Sequence, residues 1–446
     1  MTVGKISNYM NPKPKKIYIV GIGGIGLSSL AQLFVHEGIA VSGSDRSEQP
    51  STEMLRKQGV EVLLGHSASH VPEDADLLVY SDAIVEGSAG YAERVRGREL
   101  GIPELSYFEA LGKAAEGKRV VAVSGTNGKT TTTAMLGKIL VDAGEDPTVV
   151  VGSIVSEWGS NFRAGGSDLF VVEACEYKKH FLNFHPSLLI ITNVELDHTD
   201  YFTSEEEFVD AFTEVVANVE AGGDIVANTN LLNVQKALKE APASVTVSDY
   251  SGVEVPELLL PGEFNRENAR AAKAAAHVVA PHISDKQIDA SLAVFPGTWR
   301  RFEYKGKLPG GAELYDDYAH HPSAIEKTIT ATREKFADKK PSKKIVVFFH
   351  PHLYSRTRDL FAGFVSSLAL ADEVYILPVF AAREPYDESV SNAALAEAIT
   401  TFGGNAQAVS SMEEVTDKLC ALGPDIVAFT MGAGDVYKAG DAALKN

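Results

Sequence analysis

Short apolar runs alternate with amphipathic stretches along most of this chain. The first run, Lys16 to Ile22, reads as a strand. A helix follows from about Gly24 to His36, with Ile25, Leu30, Leu33 and Phe34 on one face and Gly38 as its stop. A second strand starts at Ile39, is strongest to Gly43 and runs out at Asp45; others read at Glu61 to Leu64 and Asp76 to Tyr80. This alternation predicts a parallel α/β domain.

The pattern restarts at Lys118. Arg119 to Ser124 is β-rich, and after a glycine loop comes a helical stretch with Met135, Leu136, Ile139 and Leu140, closed by Gly144. Leu169 to Glu173, Leu188 to Thr192 and Asp224 to Ala227 read as buried strands, with an acidic helix from Ser204 to Ala217 before the last. Pro261-Gly262 precedes an alanine-rich helix, Glu263 to Ala280. A third start near Pro296-Gly297 leads to strands at Glu313 to Tyr315, Lys344 to Phe349, Glu373 to Pro378 and Asp425 to Thr430. Three α/β domains are expected, at 1–112, 113–296 and 297–446.

Composition narrows the class. The chain has 446 residues, 41 basic against 60 acidic, for a net charge of −19. That balance argues against a nucleic-acid partner, which needs a basic face. It leaves room for a small phosphate ligand, held by one lysine and a ring of backbone N–H groups. Two cysteines, Cys175 and Cys420, make no disulfide framework and point to a reducing compartment. The apolar runs are strand-length, far short of a membrane span, and residues 1–16 lack a secretory apolar core. A cytoplasmic protein is expected, with no membrane partner.

Two loops carry nucleotide chemistry. Gly21-Ile22-Gly23-Gly24-Ile25-Gly26 follows a strand and opens a helix, and Asp45 closes the next strand. The glycines would let a diphosphate approach a helix N-terminus, and the acid would accept a ribose hydroxyl. Alone, this pattern reads as an NAD-dependent dehydrogenase. The second loop is Ser124-Gly125-Thr126-Asn127-Gly128-Lys129-Thr130-Thr131. It is shorter than the usual phosphate loop, because valine stands at position 123 where the leading glycine belongs. Its chemistry is intact: N–H groups and a helix dipole for phosphate, Lys129 for the β/γ charge, the Thr130 hydroxyl for Mg2+. A dehydrogenase needs no phosphate loop, and a simple ATPase needs no second diphosphate site.

Other candidates gather at strand ends. Glu173 closes one buried strand; Asn193, Glu195, Asp197 and His198 follow the next, where an α/β sheet puts its ligands. A carboxylate and an imidazole there can complete a magnesium shell around a triphosphate. The last third holds Arg300-Arg301-Phe302-Glu303, Asp316-Asp317-Tyr318-Ala319-His320-His321-Pro322 and His350-Pro351-His352-Leu353-Tyr354-Ser355-Arg356-Thr357. Clustered histidine suggests zinc, but interspersed arginine and the lack of a nearby cysteine favour anion and amino-acid recognition.

These residues resemble the ATP-dependent Mur ligases of peptidoglycan synthesis. The resemblance rests on GTNGKTTT, on Glu173 with Asn193-Val-Glu-Leu-Asp-His198, and on Pro261-Gly-Glu-Phe-Asn265-Arg-Glu-Asn268. GIGGIG with GSD, RRFE, DDYAHHP, PHLYSRT and Phe380-Ala-Ala-Arg383-Glu384 is similar to the branch that joins L-alanine to UDP-N-acetylmuramate. It covers roughly residues 16 to 440 in the expected order. It implies a Rossmann-like first domain, a central phosphate-loop ATPase-type domain with a mostly parallel sheet, and a Rossmann-like third domain.

What the resemblance implies for the site is specific. Gly21, Gly23, Gly24, Gly26, Asp45 and Ser81 would hold the UDP-sugar rather than NAD. Gly125 to Thr131, Asn193, Asn265, Asn268, Arg301 and Asp317 would bind ATP, with Lys129 on the β/γ-phosphates and Asp317 on the ribose. Thr130 would bind one magnesium, and Glu173 and His198 a second; Lys129, Glu173, His198 and Arg301 would be catalytic. His321, His352, Arg356 and Arg383 would lie on the amino-acid side. Two departures stand out: Asn127 where that branch usually has histidine, and Glu173-Ala-Cys-Glu-Tyr177 instead of the commoner Asp-Glu-Ser-Asp ending. No lysine occurs between Lys179 and Lys236, so the carbamoylated lysine of sister ligases is not expected there. The alternatives are a recycling ligase that adds a tripeptide to the same sugar acid, an NAD-linked oxidoreductase, and a non-catalytic nucleotide switch. The PHLYSRT run favours the alanine branch over the recycling one.

Overall fold

The structure is a computed structural model and describes residues 13–198, 201–339, 341–382 and 384–446. Three sheets follow one another along the chain. The first has five parallel strands in the order Glu61–Leu64, Ala40–Asp45, Lys16–Val20, Leu77–Tyr80, Glu104–Ser106. The strand order reverses at Lys16–Val20, so the glycine loop after it opens at the crevice where such sheets bind ligands.

The second sheet has seven strands: Thr246–Asp249, Asp224–Ala227, Leu188–Ile191, Arg119–Ser124, Leu169–Glu173, Thr148–Val155 and Ser160–Arg163. All neighbours are parallel except the last two, which form a hairpin. The hairpin escapes the sequence pattern because Gly152 and Asn161 interrupt its apolar positions. It matters for the site, because it touches both other domains. Its Asn161 amide donates to the Ile25 carbonyl, while Ser153 Oγ donates to the Trp299 carbonyl at 2.8 Å.

The third sheet has six strands: Glu303–Lys307, Glu313–Asp317, Ile426–Met431, Lys344–Phe349, Glu373–Ile376 and Ala406–Ala408, with only the first pair antiparallel. Glu313–Asp317 runs two residues further than the apolar pattern predicts. The extension is held by pairing of Asp316 with Thr430, whose hydroxyl donates to Asp316 Oδ1 at 2.6 Å. Both aspartates therefore sit on a strand end and not in a loop. Helices cover the sheets, and continuous runs such as Leu188–Ile191 are fully buried, as parallel strands require. One apolar cluster runs from Ile17, Leu30 and Phe34 of the first domain to Phe170, Phe208 and Phe212 of the second. Among the described residues no helix is long and apolar enough to cross a membrane.

Candidate functional site

The phosphate loop leaves Arg119–Ser124 and opens helix Lys129–Asp142. Gly128 caps that helix with φ of 88°, a left-handed conformation that favours glycine, and a Cβ there would strike Asn268 Oδ1. The neighbouring strand fixes the rest of the loop. Asn193 Oδ1 accepts the Asn127 N–H at 2.9 Å, its amide donates to the Asn127 carbonyl at 2.9 Å, and the Thr126 hydroxyl donates to the Glu195 carbonyl at 2.7 Å. Asn193 thus shapes the loop.

Thr130 and Glu173 meet at the head of this helix. The Thr130 hydroxyl donates to Glu173 Oε1 at 3.1 Å, and Gly152 N–H donates to Oε2 at 2.8 Å. Lys129 is part-buried and fully occupied: it donates to the Gly125 and Thr126 carbonyls and forms an ion pair with Glu176 at 2.8 Å. Glu176 is 1% exposed and also lies 3.3 Å from His198 Nε2. Burial works against both charges. Even so, Glu176 holds the Lys129 pKa above its ordinary value, while Lys129 and then His198 hold that of Glu176 below its own. Glu176 is the residue that motif reading missed. Its signal was a second acid three positions after Glu173, on the same strand exit.

Three cavities join here. One of about 560 Å3 is lined by Asn127, Gly128, Asn265, Asn268, Arg301 and Asp317. The next, about 450 Å3, contains Lys129, Thr130, Glu173, His198, His320, His321, His352 and Arg356. The two share Asn127, Gly128, Thr131 and Arg301. A third, about 360 Å3, runs past Gly24, Gly26, Ser81 and Tyr107, and meets the second at Ile25, Gly152, Glu173 and Cys175.

The glycine loop is used less uniformly than its motif suggests. Gly24 and Gly26 border the third cavity, while Gly21 and Gly23 stand behind it. Asp45 is buried and faces the loop: it accepts from Gly23 N–H at 2.8 Å and from the Gln49 amide at 3.1 Å. Asp45, expected to accept a ribose hydroxyl, braces the loop through these bonds. Cys175 borders both cavities, and burial pushes its thiol up to about 12, so it is a poor nucleophile.

The third domain closes the far wall. Arg301 lies over the Tyr318 ring at 4.9 Å. His321 caps helix Pro322–Lys335 through Ser323, and His352 stacks on Phe380 at 5.6 Å. Arg356 is buried and donates to Asp197 of the central domain at 3.1 Å; with His198, it keeps the Asp197 carboxyl far below the usual range despite burial. Arg356 is thus a cross-domain tie that also borders the cavity. Arg383 lies outside the described residues.

Asp317 accepts from the Phe302 and Ala319 N–H groups and the Thr328 hydroxyl. Burial pushes its carboxyl up to about 6, against the pull of Arg301. A raised acid stabilises the fold when protonated, so its contribution fades as pH climbs from about 4 to about 6, by roughly 3 kcal/mol. Unfolding free energies of wild type and Asp317→Asn should therefore diverge in slope over that window. Parallel pH profiles would refute the shift.

Comparison with known proteins agrees with this layout. The description "Mur ligase family, catalytic domain" matches residues 16–119, "Mur ligase middle domain" residues 123–254, and "Mur ligase, glutamate ligase domain" residues 300–434. The chain belongs to the Mur ligase family. This Mur ligase is 38% identical over 461 residues to the UDP-N-acetylmuramate–L-alanine ligase of Desulfitobacterium hafniense, covering 97% of this chain and 100% of the relative. It is also 38% identical to the enzyme of the same name from Caldicellulosiruptor saccharolyticus, covering 95% and 97%. The crystal structure of UDP-N-acetylmuramate-alanine ligase from Thermotoga maritima superposes with a TM-score of 0.78 at 28% identity, covering 96% of this chain and 98% of that one. A murein peptide ligase from Psychrobacter arcticus shares the fold, with a TM-score of 0.70 at 23% identity over 97% and 98% of the two chains. The three-domain α/β architecture expected from the sequence is the one found.

Proposed function

We propose that this Mur ligase joins L-alanine to the carboxylate of UDP-N-acetylmuramate at the expense of ATP, in the cytoplasmic stage of peptidoglycan precursor synthesis. The observation that carries the reading is the adjacency of three cavities: one beside Asn265, Asn268 and Asp317 and one at the phosphate loop share Arg301 in their walls, and the latter shares Glu173 with one beside the first glycine loop. An NAD-linked oxidoreductase has no use for the phosphate loop, and a nucleotide switch has no use for a cavity at the first glycine loop.

The chemistry follows from that order. Oxide is a poor leaving group, so a carboxylate needs activation before an amine can attack it. The sugar-acid carboxylate attacks the γ-phosphorus, and ADP leaves with the electrons of the broken P–O bond. The neutral amine then attacks the acyl carbon, its nitrogen gives up a proton, and phosphate leaves from the tetrahedral intermediate, carrying that proton in net. Asn265, Asn268 and Asp317 would hold the nucleoside, the Gly125 to Thr131 loop and Lys129 the phosphates. Gly24, Gly26 and Ser81 would line the sugar-nucleotide path, with Gly21, Gly23 and Asp45 shaping the loop. Thr130 and Glu173 offer the hard oxygens that Mg2+ takes alongside phosphate and water, and His198 stands nearby. Bound there, Mg2+ would neutralise phosphoryl charge.

The test is phosphate release that requires both UDP-N-acetylmuramate and L-alanine. Release without the sugar nucleotide, or tight NAD binding that the sugar nucleotide fails to displace, would sink the reading. Side-chain selection should be steric. Glycine should remain a poor substrate, because a missing methyl costs only about 1–3 kcal/mol, whereas glutamate and diaminopimelate should fail. The amino-acid carboxylate would be met by an arginine of the third domain, Arg356 or Arg383, because a planar guanidinium offers two parallel donors. Lysine at the true contact should raise the alanine KM and leave the UDP-sugar KM little changed. A better rate with a free tripeptide would move the chain to the recycling branch.

A further inference from the structure

Lys129 is not waiting for phosphate. Its ammonium has three donors, and they face the Gly125 carbonyl, the Thr126 carbonyl and both carboxylate oxygens of Glu176, at 3.0 and 2.8 Å. Glu176 is almost fully buried and shares its Oε1 with His198 at 3.3 Å. The carboxylate therefore stands between the two groups that must face the triphosphate, on the wall of the cavity that receives it. An anion buried at that point can do two opposite things. It holds Lys129 and His198 in place while nucleotide is absent, and it competes with phosphate for Lys129 when nucleotide arrives.

We propose that Glu176 is a positioning residue for Lys129, a resident counter-ion that the β- and γ-phosphates of an incoming nucleoside triphosphate displace. Lys129 exchanges one anion for another, and Glu176 keeps its contact with His198. The inference rests on the ATP site assigned above. It adds a cost to metal-free binding: the phosphates must take Lys129 from a carboxylate and then lie close to that carboxylate. A bound divalent cation offsets that repulsion, so the cost is largest without metal.

Calorimetric titration of ATP into the full chain, with chelator and no metal, tests this directly. Glu176→Gln removes the competing charge and leaves an amide of the same size. It should bind metal-free ATP roughly tenfold more tightly than wild type, the scale of one charge-assisted hydrogen bond. The gain should vanish in the Lys129→Ala background. In turnover assays kcat and the ATP KM should fall together, because Lys129 and His198 lose their anchor while nucleotide meets less competition. Structural damage would have the opposite sign, weaker binding. Glu176→Asp keeps the charge but withdraws it by one methylene, and its affinity should fall between the other two. That variant decides the matter if the glutamine one does not fold. Unchanged or weaker metal-free binding in a folded variant overturns the inference and leaves the ligase reading intact. If wild type binds no ATP at all, the ligase reading itself fails.

Discussion

Lys129→Ala should reduce turnover by about three orders of magnitude while the central domain stays folded. Removing one preorganised donor to developing charge typically costs 10²–10³ in rate, and phosphoryl transfer depends almost wholly on such groups. Lys129 sits at the helix N-terminus directly after the left-handed Gly128, where the loop aims it into the cavity that also holds Glu173 and His198. The substitution also strands Glu176, which is buried, loses its ion-pair partner and keeps its contact with His198. A stability loss should therefore accompany the rate loss, and the two can be separated. Adding Glu176→Gln should restore thermal stability to Lys129→Ala without restoring phosphate release. Near-normal release from the folded single variant would refute the assignment of the phosphate loop.

Arg300→Ala should destabilise the third domain by about 3–5 kcal/mol, the usual cost of breaking a buried ion pair from one side. Arg300 and Arg301 are adjacent and read alike in the sequence, yet they do different work. Arg300 is 4% exposed; its Nε donates to Asp316 at 2.8 Å and its Nη2 to the Gly432 carbonyl at 2.6 Å. Its guanidinium also lies 4.6 Å from the Tyr437 ring centroid. Without it, Asp316 is buried beside Thr430 with its nearest cation gone, and the Gly432 carbonyl loses a charged donor. Burial already raises the Asp316 carboxyl above its ordinary range even with Arg300 present. Its removal raises that pKa further, so the loss should be larger at pH 8 than at pH 5, where protonation relieves the stranded charge. Unfolding followed through the fluorescence of adjacent Trp299 would report it. A double-mutant cycle with Asp316→Asn should recover part of the loss. If Arg300→Ala unfolds like wild type at both pH values, the clamp is not a stabilising element. Arg300 and Phe302 both adopt left-handed φ, 58° and 50°, on either side of Arg301. That backbone persists only where its surroundings enforce it, so loss of the clamp should also misplace Arg301 and slow turnover.

The sequence by itself determined the class of fold and the two glycine loops that open helices. Apolar runs such as 120–123 and Leu188–Ile191 are what a strand buried on both faces must be, so such strands are legible from pattern to within about a residue. A glycine loop between strand and helix is a local object, fixed by φ and by the helix N-terminus, and needs no distant partner to be recognised. Tertiary structure decided how each polar side chain is used. Asp45 looks like a ligand group but braces Gly23, Arg356 ties Asp197 across two domains, and Arg300 and Arg301 part company. Glu176 becomes visible only when the exit of Leu169–Glu173 is folded against the helix that Lys129 begins. The physical reason is one of range. Backbone form and burial follow from near neighbours in sequence, whereas the partner of a charge is whatever distant group the fold brings within about 3 Å, and no local pattern encodes it.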